Sequence, residues 1–563
     1  MKLEAFFEHF DLLTDAPNAA AKLRELVLQL AARGKLVPQN PDDESASVLL
    51  ERILQLRKSL IAQGLLKSEK LLQEVMSKEF LHDIPSNWVW TRLGEIVNYT
   101  GAKKVLPSDI SSDSWLLDLE DIEKDTSRIL SRKTFQEKES KSTKAEFNPG
   151  DVLYGKLRPY LNKVLVADNH GYCTTEIVPL KPYEGILSEY IKYILKRPDF
   201  LDYVNSKTYG INLPRLGTED GRKALFPLPP LAEQKRIVEK VDRLLVLCDA
   251  IGKQQQQRQQ NLLSMNDTAL AQLLAAQTPD DFQHHWHGLC DNFDLLYSVP
   301  ETIPKLRQAI LQLAVQGKLL PQDPNDEDIE ILIDKITKYR DSLTKNKTIR
   351  KGKSLPPVDD EEEIFTIPEA WRWVRLGNLG DWGAGATPDR KRSEYYDGSI
   401  YWFKSGELNN AYISESEETI TDLALKECSL RKNKPGDILI AMYGATIGKV
   451  AVLETHATTN QAVCACTCFE GVYNLFLLLL LKAYKDLFSR QGAGGAQPNI
   501  SREKIIFTQV PLPPLAEQKR IVARVDTLLA LCDALETKLN AARNSSATLM
   551  DIAARQILVA QES

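Results

Sequence analysis

PLPPLAEQKRIVEKVDRLLVLCDAI, residues 227–251, returns as PLPPLAEQKRIVARVDTLLALCDAL, residues 511–535, with five changes in 25 positions and an offset of 284. A period that long exceeds the roughly 20–50 residues of a solenoid repeat, so it marks a duplicated module and a pseudo-two-fold molecule. Two further anchors recur in the same order. KLRELVLQLAARGKLVPQ (22–39) returns as KLRQAILQLAVQGKLLPQ (305–322), and IPSNWVWTRLG (84–94) as IPEAWRWVRLG (367–377). Between the anchors the chain has diverged, keeping PGDVL at Pro149 and PGDIL at Pro435, and a threonine pair at Thr174 and Thr458. Near-identical frames therefore hold two different inserts.

The repeated stretch reads as a helix. Pro229 and Pro230 suit its first positions, where a missing N–H costs nothing, and Glu233 sits in the first turn, where the helix dipole favours an acid. Seven-residue spacing follows, with Leu231, Val238 and Leu245 at one seam position and Gln234, Val241 and Cys248 at the other. The second copy repeats it with Leu515, Val522, Leu529 and Gln518, Val525, Cys532. Such spacing predicts a coiled-coil seam, and each helix can run for roughly 45 residues, about 65 Å. A narrow stripe needs a partner, and the chain contains an equivalent one. The competing reading is that each stripe is only the apolar edge of its own domain. Around residues 26–36 and 310–320 a second helical pattern ends at Gly34-Lys35 and Gly317-Lys318, with a proline shortly after.

These features are specific enough to carry a resemblance. PLPPLAEQKRIV after a PGD-containing variable region, a helix ending in LCDA, and the LRQAILQLAVQGKL element are together similar to the specificity subunit of a type I restriction-modification enzyme, over nearly the whole chain. The GKL element precedes the first insert as well as the second, which leaves open which helical segment closes the frame. The resemblance implies an α+β architecture: two α/β target recognition domains joined by two long helices in an antiparallel coiled coil, with pseudo-two-fold symmetry. The segments are a helical frame at 1–83, a first recognition domain at 84–226, a central helical region at 227–366, a second recognition domain at 367–510 and a C-terminal helix at 511–563. It also implies double-stranded DNA as ligand, two adenine methyltransferase subunits using S-adenosylmethionine, and motor-nuclease subunits using ATP and Mg2+. Each insert would read one half of an asymmetric site, and the helices would fix the gap.

Composition fits this reading with one objection. The 563 residues suffice for several domains, and 26% charged with 43% hydrophobic residues is ordinary for a soluble chain. No signal peptide or membrane span is read in the N-terminal region or the apolar run 475–481, and eight scattered cysteines make no disulfide framework, so the cytoplasm is expected. A net charge of −6 is unusual for a nucleic-acid binder. The inserts, however, are balanced, with 21 basic to 20 acidic residues in 85–226 and 16 to 16 in 368–510, so the acidic excess lies in the frame. Affinity for DNA then rests on local patches or on partner subunits.

Strand-like runs dominate the inserts, at 151–154, 164–167 and 176–180 and at 438–442, 449–453 and 462–468, with helical stretches at 189–203 and 474–488. Between the first two strands lie YGKLRPYLNK and YGATIGK. Lys156, Arg158 and Asn162 in one, and Tyr443, Thr446 and Lys449 in the other, are side-chain types that contact phosphates and base edges. A second loop precedes the last strand, KTYGINLPRLG in one insert and RQGAGGAQPNIS in the other; Asn212, Arg215, Gln497 and Asn499 are the candidates there.

No catalytic set emerges. GATIGKV at Gly444 has three residues between its glycines instead of four, and Val450 where a phosphate loop needs Ser or Thr. No dinucleotide fingerprint follows a strand, and the tetrapeptide of amino-methyltransferases is absent. Cys464, Cys466 and Cys468 alternate as core residues of a strand do, and His284, His285, His287 and Cys290 read as a surface cluster. Glu139 and Lys141 form an isolated E-x-K in a charged loop. The expectation is a non-catalytic DNA-recognition subunit; the alternative is a scaffold whose inserts bind peptides.

Overall fold

A computed structural model describes residues 13–66, 72–210, 212–350, 355–492 and 498–560. The chain forms two compact units, one of residues 1–258 with 542–563, the other of residues 259–541. Two helices of 45 and 46 residues, Leu231–Ala275 and Leu515–Ala560, each cross from one unit to the other. Each unit thus holds the front of one long helix and the tail of the other, the antiparallel sense of the expected pair. Among the described residues no helix is long and apolar enough to cross a membrane.

A frame helix ties front to tail in each unit. In the first, the helix Ala19–Ala32 places Lys22 against Asp551 of one tail and Arg24 against Asp249 of the other front. In the second, Ile303–Val315 places Lys305 against Asp267 and Arg307 against Asp533 and Glu536. These are the same pairs with the two long helices exchanged. Apolar packing follows the same plan: Leu13, Ala19 and Leu26 bury Met550, Ala553 and Ile557, while Leu270 and Leu273 share a core with Ile303, Ile310, Cys532 and Leu539.

The front turns correct the reading of the heptads. Ile237 and Val241 are buried, and Leu231, Val238 and Leu245 half-buried, in the core of the α/β domain from which their helix emerges. Ile521, Val522 and Val525 do the same in the second unit. The front stripe is therefore chiefly the apolar edge of its own domain. Gln234 and Gln518, read as seam positions, are fully buried hydrogen-bonding residues. Gln234 accepts from the Leu187 N–H and donates to the Gly185 and Pro229 carbonyls; Gln518 accepts from Tyr473 and donates to Gly471 and Pro513.

The preceding residue joins all three repeated anchors. Glu233 accepts from the Trp88 indole at 2.9 Å and the Gln39 amide at 2.6 Å; Glu517 accepts from Trp371 and Gln322, both at 2.9 Å. Burial pushes both carboxyls above the usual range, and these donors oppose the shift. Arg236 and Arg520 pair with Asp43 and Asp326 beside them. Gly34 and Gly317, at φ +67° and +69°, end the frame helices where a Cβ would meet Pro85 or Pro368 at 2.4 Å. An antiparallel ribbon then clasps each recognition domain, Val89–Arg92 with Leu225–Leu228 and Arg372–Arg375 with Gln509–Leu512.

Inside the clasp both domains share one plan. A central strand, Val152–Gly155 or Ile438–Ala441, lies between Val164–Val166 and Ile177–Pro182, or between Val450–Leu453 and Val463–Cys468, all antiparallel. The PGD turn opens it: Gly150 and Gly436 take φ +87° and +90°, and the following Asp151 and Asp437 carboxylates accept from the N–H three residues back. A second small sheet carries one parallel pair, Trp115–Leu117 with Gly171–Thr174 and Tyr396–Phe403 with Ala457–Thr459, which places Thr174 and Thr458 in matching strands. Each expected helix is two: Ser188–Leu195 and Pro198–Lys207 break at Arg197, where the following proline disfavours helix, and Asn474–Ala483 and Lys485–Gly492 break at Tyr484.

Candidate nucleic-acid interface

The two candidate loops of each insert form one surface. In the first domain the Arg158 N–H donates to the Pro214 carbonyl at 2.7 Å and the Leu216 N–H to the Lys156 carbonyl at 3.0 Å; Leu157 and Arg215 make a β-bridge between these contacts. In the second the Gly444 N–H donates to Pro498 at 2.9 Å and Ile500 to Met442 at 2.9 Å, with Tyr443 and Asn499 bridged. Backbone bonds alone align the corners, so their side chains are free to differ.

The expected residues take different situations on these corners. Arg158, Asn212, Tyr443 and Asn499 are exposed. Lys156 and Lys449 are half-exposed and form no ion pair among the described residues. Asn162 is half-buried, with its amide oxygen buried and unpartnered. Thr446 spends its hydroxyl on the Tyr443 carbonyl at 2.7 Å, closing the turn. Arg215 is held by Glu176 in a two-pronged ion pair at 3.0 and 3.2 Å, which raises its pKa and occupies the edge of the guanidinium that would otherwise grip a base. Gln497 lies outside the described residues.

Other groups on these domains lie beyond the side chains expected to touch DNA. Tyr160 and Tyr209 stand 48% and 62% exposed beside the first corner, where large apolar rings are normally covered. Arg132 lies over the Trp115 ring at 4.5 Å, and Arg390 over Tyr396 and Trp402 at 4.8 and 5.1 Å, each also ion-paired, with Asp168 and Glu418 respectively. The arginine contacts span up to 17 positions and join a loop to a strand, beyond the reach of a motif.

The remaining motifs take structural places. Cys464 and Cys466 are buried in the strand Val463–Cys468, and burial pushes the Cys464 thiol up to about 12. His284, His285, His287 and Cys290 ride on the helix Pro279–Asp291, and no metal-holding cluster occurs among the described residues. Gly444–Thr446 is a single tight turn, with Val450 buried at the start of the next strand. Glu139 and Lys141 are exposed in the loop after a one-turn helix.

Two stretches, 85–259 and 368–542, match the model of the type I restriction modification DNA specificity domain. Each runs from the anchoring tryptophan strand, through the two sheets and the paired loops, into one long helix. The chain belongs to the specificity subunits of type I restriction enzymes. It is 31% identical to the EcoAI specificity subunit of Escherichia coli, over 94% of this chain and 92% of that one, and 29% identical to the EcoEI specificity subunit of Escherichia coli over the same shares. A chain from a solved type I R-M system is similar in fold, with a TM-score of 0.50 at 19% identity over 84% of this chain and 98% of that one. As a specificity subunit it is a DNA-recognition component with two recognition domains and not the catalytic one.

Proposed function

We propose that this specificity subunit reads a split, asymmetric DNA site, one half with the corner formed by 155–163 and 212–216 and the other with the corner formed by 442–449 and 498–500. The observation that carries this is the contrast between the repeated side-chain joint and the two loop corners, which share a backbone but not a surface. The corners supply exposed arginine, asparagine and tyrosine, the side chains that read base edges and hold phosphates. Candidate residues for these contacts are Lys156, Arg158, Asn162, Asn212, Tyr443, Lys449 and Asn499. The long helices act as the ruler between half-sites: 45 residues rise about 65 Å, just under two duplex turns. Two adenine methyltransferase subunits dock on the frame and bring S-adenosylmethionine; motor-nuclease subunits bring ATP and Mg2+. The complex works in the cytoplasm, on the cell's own DNA.

Co-expression with a methyltransferase encoded beside it tests this reading. Mapping of methylated adenine in host DNA is expected to show one bipartite motif, and exchange of residues 85–226 for another recognition domain to change only one half of it. No methylation, or a motif indifferent to the exchange, overturns the proposal.

A further inference from the structure

The two reading corners differ in one costly respect. Equivalent backbone bonds fix their register: Gly155 N–H to Lys163 and Leu161 N–H to Arg158 in one, Ala441 N–H to Lys449 and Ile447 N–H to Gly444 in the other. Arg158 therefore occupies the place of Gly444, and Asn162 that of Gly448. All four are left-handed, with φ of +50° and +51° for Arg158 and Asn162 and +63° and +77° for the glycines. The turn can be built with glycine at both positions, and one domain builds it that way. The first domain instead keeps a large side chain in a conformation that L-residues resist.

The neighbouring turn is shaped to hold that strain. The Asp125 N–H donates to the Leu161 carbonyl at 3.2 Å, and the Ser127 hydroxyl donates to the Asn162 carbonyl at 3.1 Å while accepting from Val164. Asp125 and Ser127 are left-handed as well, so four of the nine left-handed non-glycine residues among those described meet at this corner. Strain concentrated at one place, where a glycine serves in the twin, points to the side chain it aims. Arg158 is exposed, and its guanidinium has no ion pair or hydrogen bond within the described chain, whereas Arg215 beside it is consumed by Glu176.

We infer that Arg158 is the specificity-determining residue of the first recognition domain, held left-handed to present its guanidinium fork to a guanine edge. A left-handed backbone fixes the direction of the side chain, which a contact to a diffuse phosphate charge does not require and a two-pronged base contact does. Tyr160, half-exposed at the tip of the same turn, lies alongside it as a second contact.

This rests on the proposed DNA-recognition function and is tested in the same complex of full-length chain and methyltransferase. Arg158→Gly is expected to hold or raise the melting temperature, by about 2 °C, because it relieves the backbone. In the methylation map one guanine in one half of the motif becomes degenerate, its discrimination falling at least about tenfold, and the other half stays intact. Arg158→Lys gives the same degeneracy because an ammonium cannot make the fork. Lys156→Ala lowers methylation at all sites without altering the motif, as loss of a phosphate contact does. A lowered melting temperature together with an unchanged motif for Arg158→Gly overturns the inference; either alone overturns its corresponding half. An unchanged motif still leaves the bipartite function standing, whereas absence of methylation with the unaltered chain removes both.

Discussion

The two joints and the two corners repeat in different ways. At the joints the side chains are the same and so are their partners: Trp88 and Trp371 each donate to a glutamate at 2.9 Å, and Gln234 and Gln518 each span a loop and the turn before their own helix. At the corners only the backbone bonds repeat, and Arg158 stands where the other domain has glycine. A buried side-chain network tolerates few substitutions because every unpaired donor costs; a backbone-bonded turn tolerates many. Duplication thus preserved the parts that hold each domain to its helix and released the parts that face outward.

The sharpest way to break the symmetry of the joints is at their glycines. Gly34→Ala and Gly317→Ala each force a Cβ into a proline ring from a left-handed backbone, and each is expected to cost about 3 kcal/mol or more in denaturant unfolding. If the joints are equivalent, the two losses agree to within about 0.5 kcal/mol.

Next come the glutamates. Glu233→Ala or Glu517→Ala strands an indole and an amide donor, at an expected cost of about 2–3 kcal/mol. Replacement by Gln keeps one acceptor and should cost about 1 kcal/mol near pH 7. It also removes a pH dependence whose sign is fixed by the raised pKa values. The folded state holds these protons to higher pH than the unfolded chain, so wild-type stability falls as pH rises from about 4.5 through the folded values. The Gln variants, compared with wild type across pH 4–7, should lose that part of the slope.

At the corners the smallest effect is expected from Glu176→Gln, which frees Arg215. DNA binding by the complex should strengthen by a few-fold at low salt, and the slope of log affinity against log salt should steepen by about one phosphate contact. An unchanged slope means that Arg215 serves only to hold Glu176 and the turn.

Much of the architecture was legible in the residues. Strand-like runs located the central strands to within a residue or two, and the long helices, expected at roughly 45 residues, run for 45 and 46. The heptads misled at the front of each helix: period reports that a face is buried and not what buries it, and Val241 meets a sheet domain as readily as a second helix. Glu233 looked like a first-turn acid suited to the dipole, and its real partners, Trp88 and Gln39, lie more than 140 positions away. Candidate loops were found by residue type, but Arg215 and Arg158 look alike in sequence. One is neutralised by a glutamate 39 residues distant, and the other has no ion pair among the described residues.

The sequence by itself determined the duplication, the two long helices, the paired domains and the family, because repeats, periodicity and motifs are local and survive in one dimension. Tertiary structure alone decided that each unit holds the tail of the other copy's helix, that the three repeated anchors meet at one buried glutamate, and that two separate loops are bonded into one surface corner. Those are contacts between residues far apart in the chain, fixed by burial and backbone bonding, and the backbone conformation that sets Arg158 apart from Gly444 is visible only where the turn is closed.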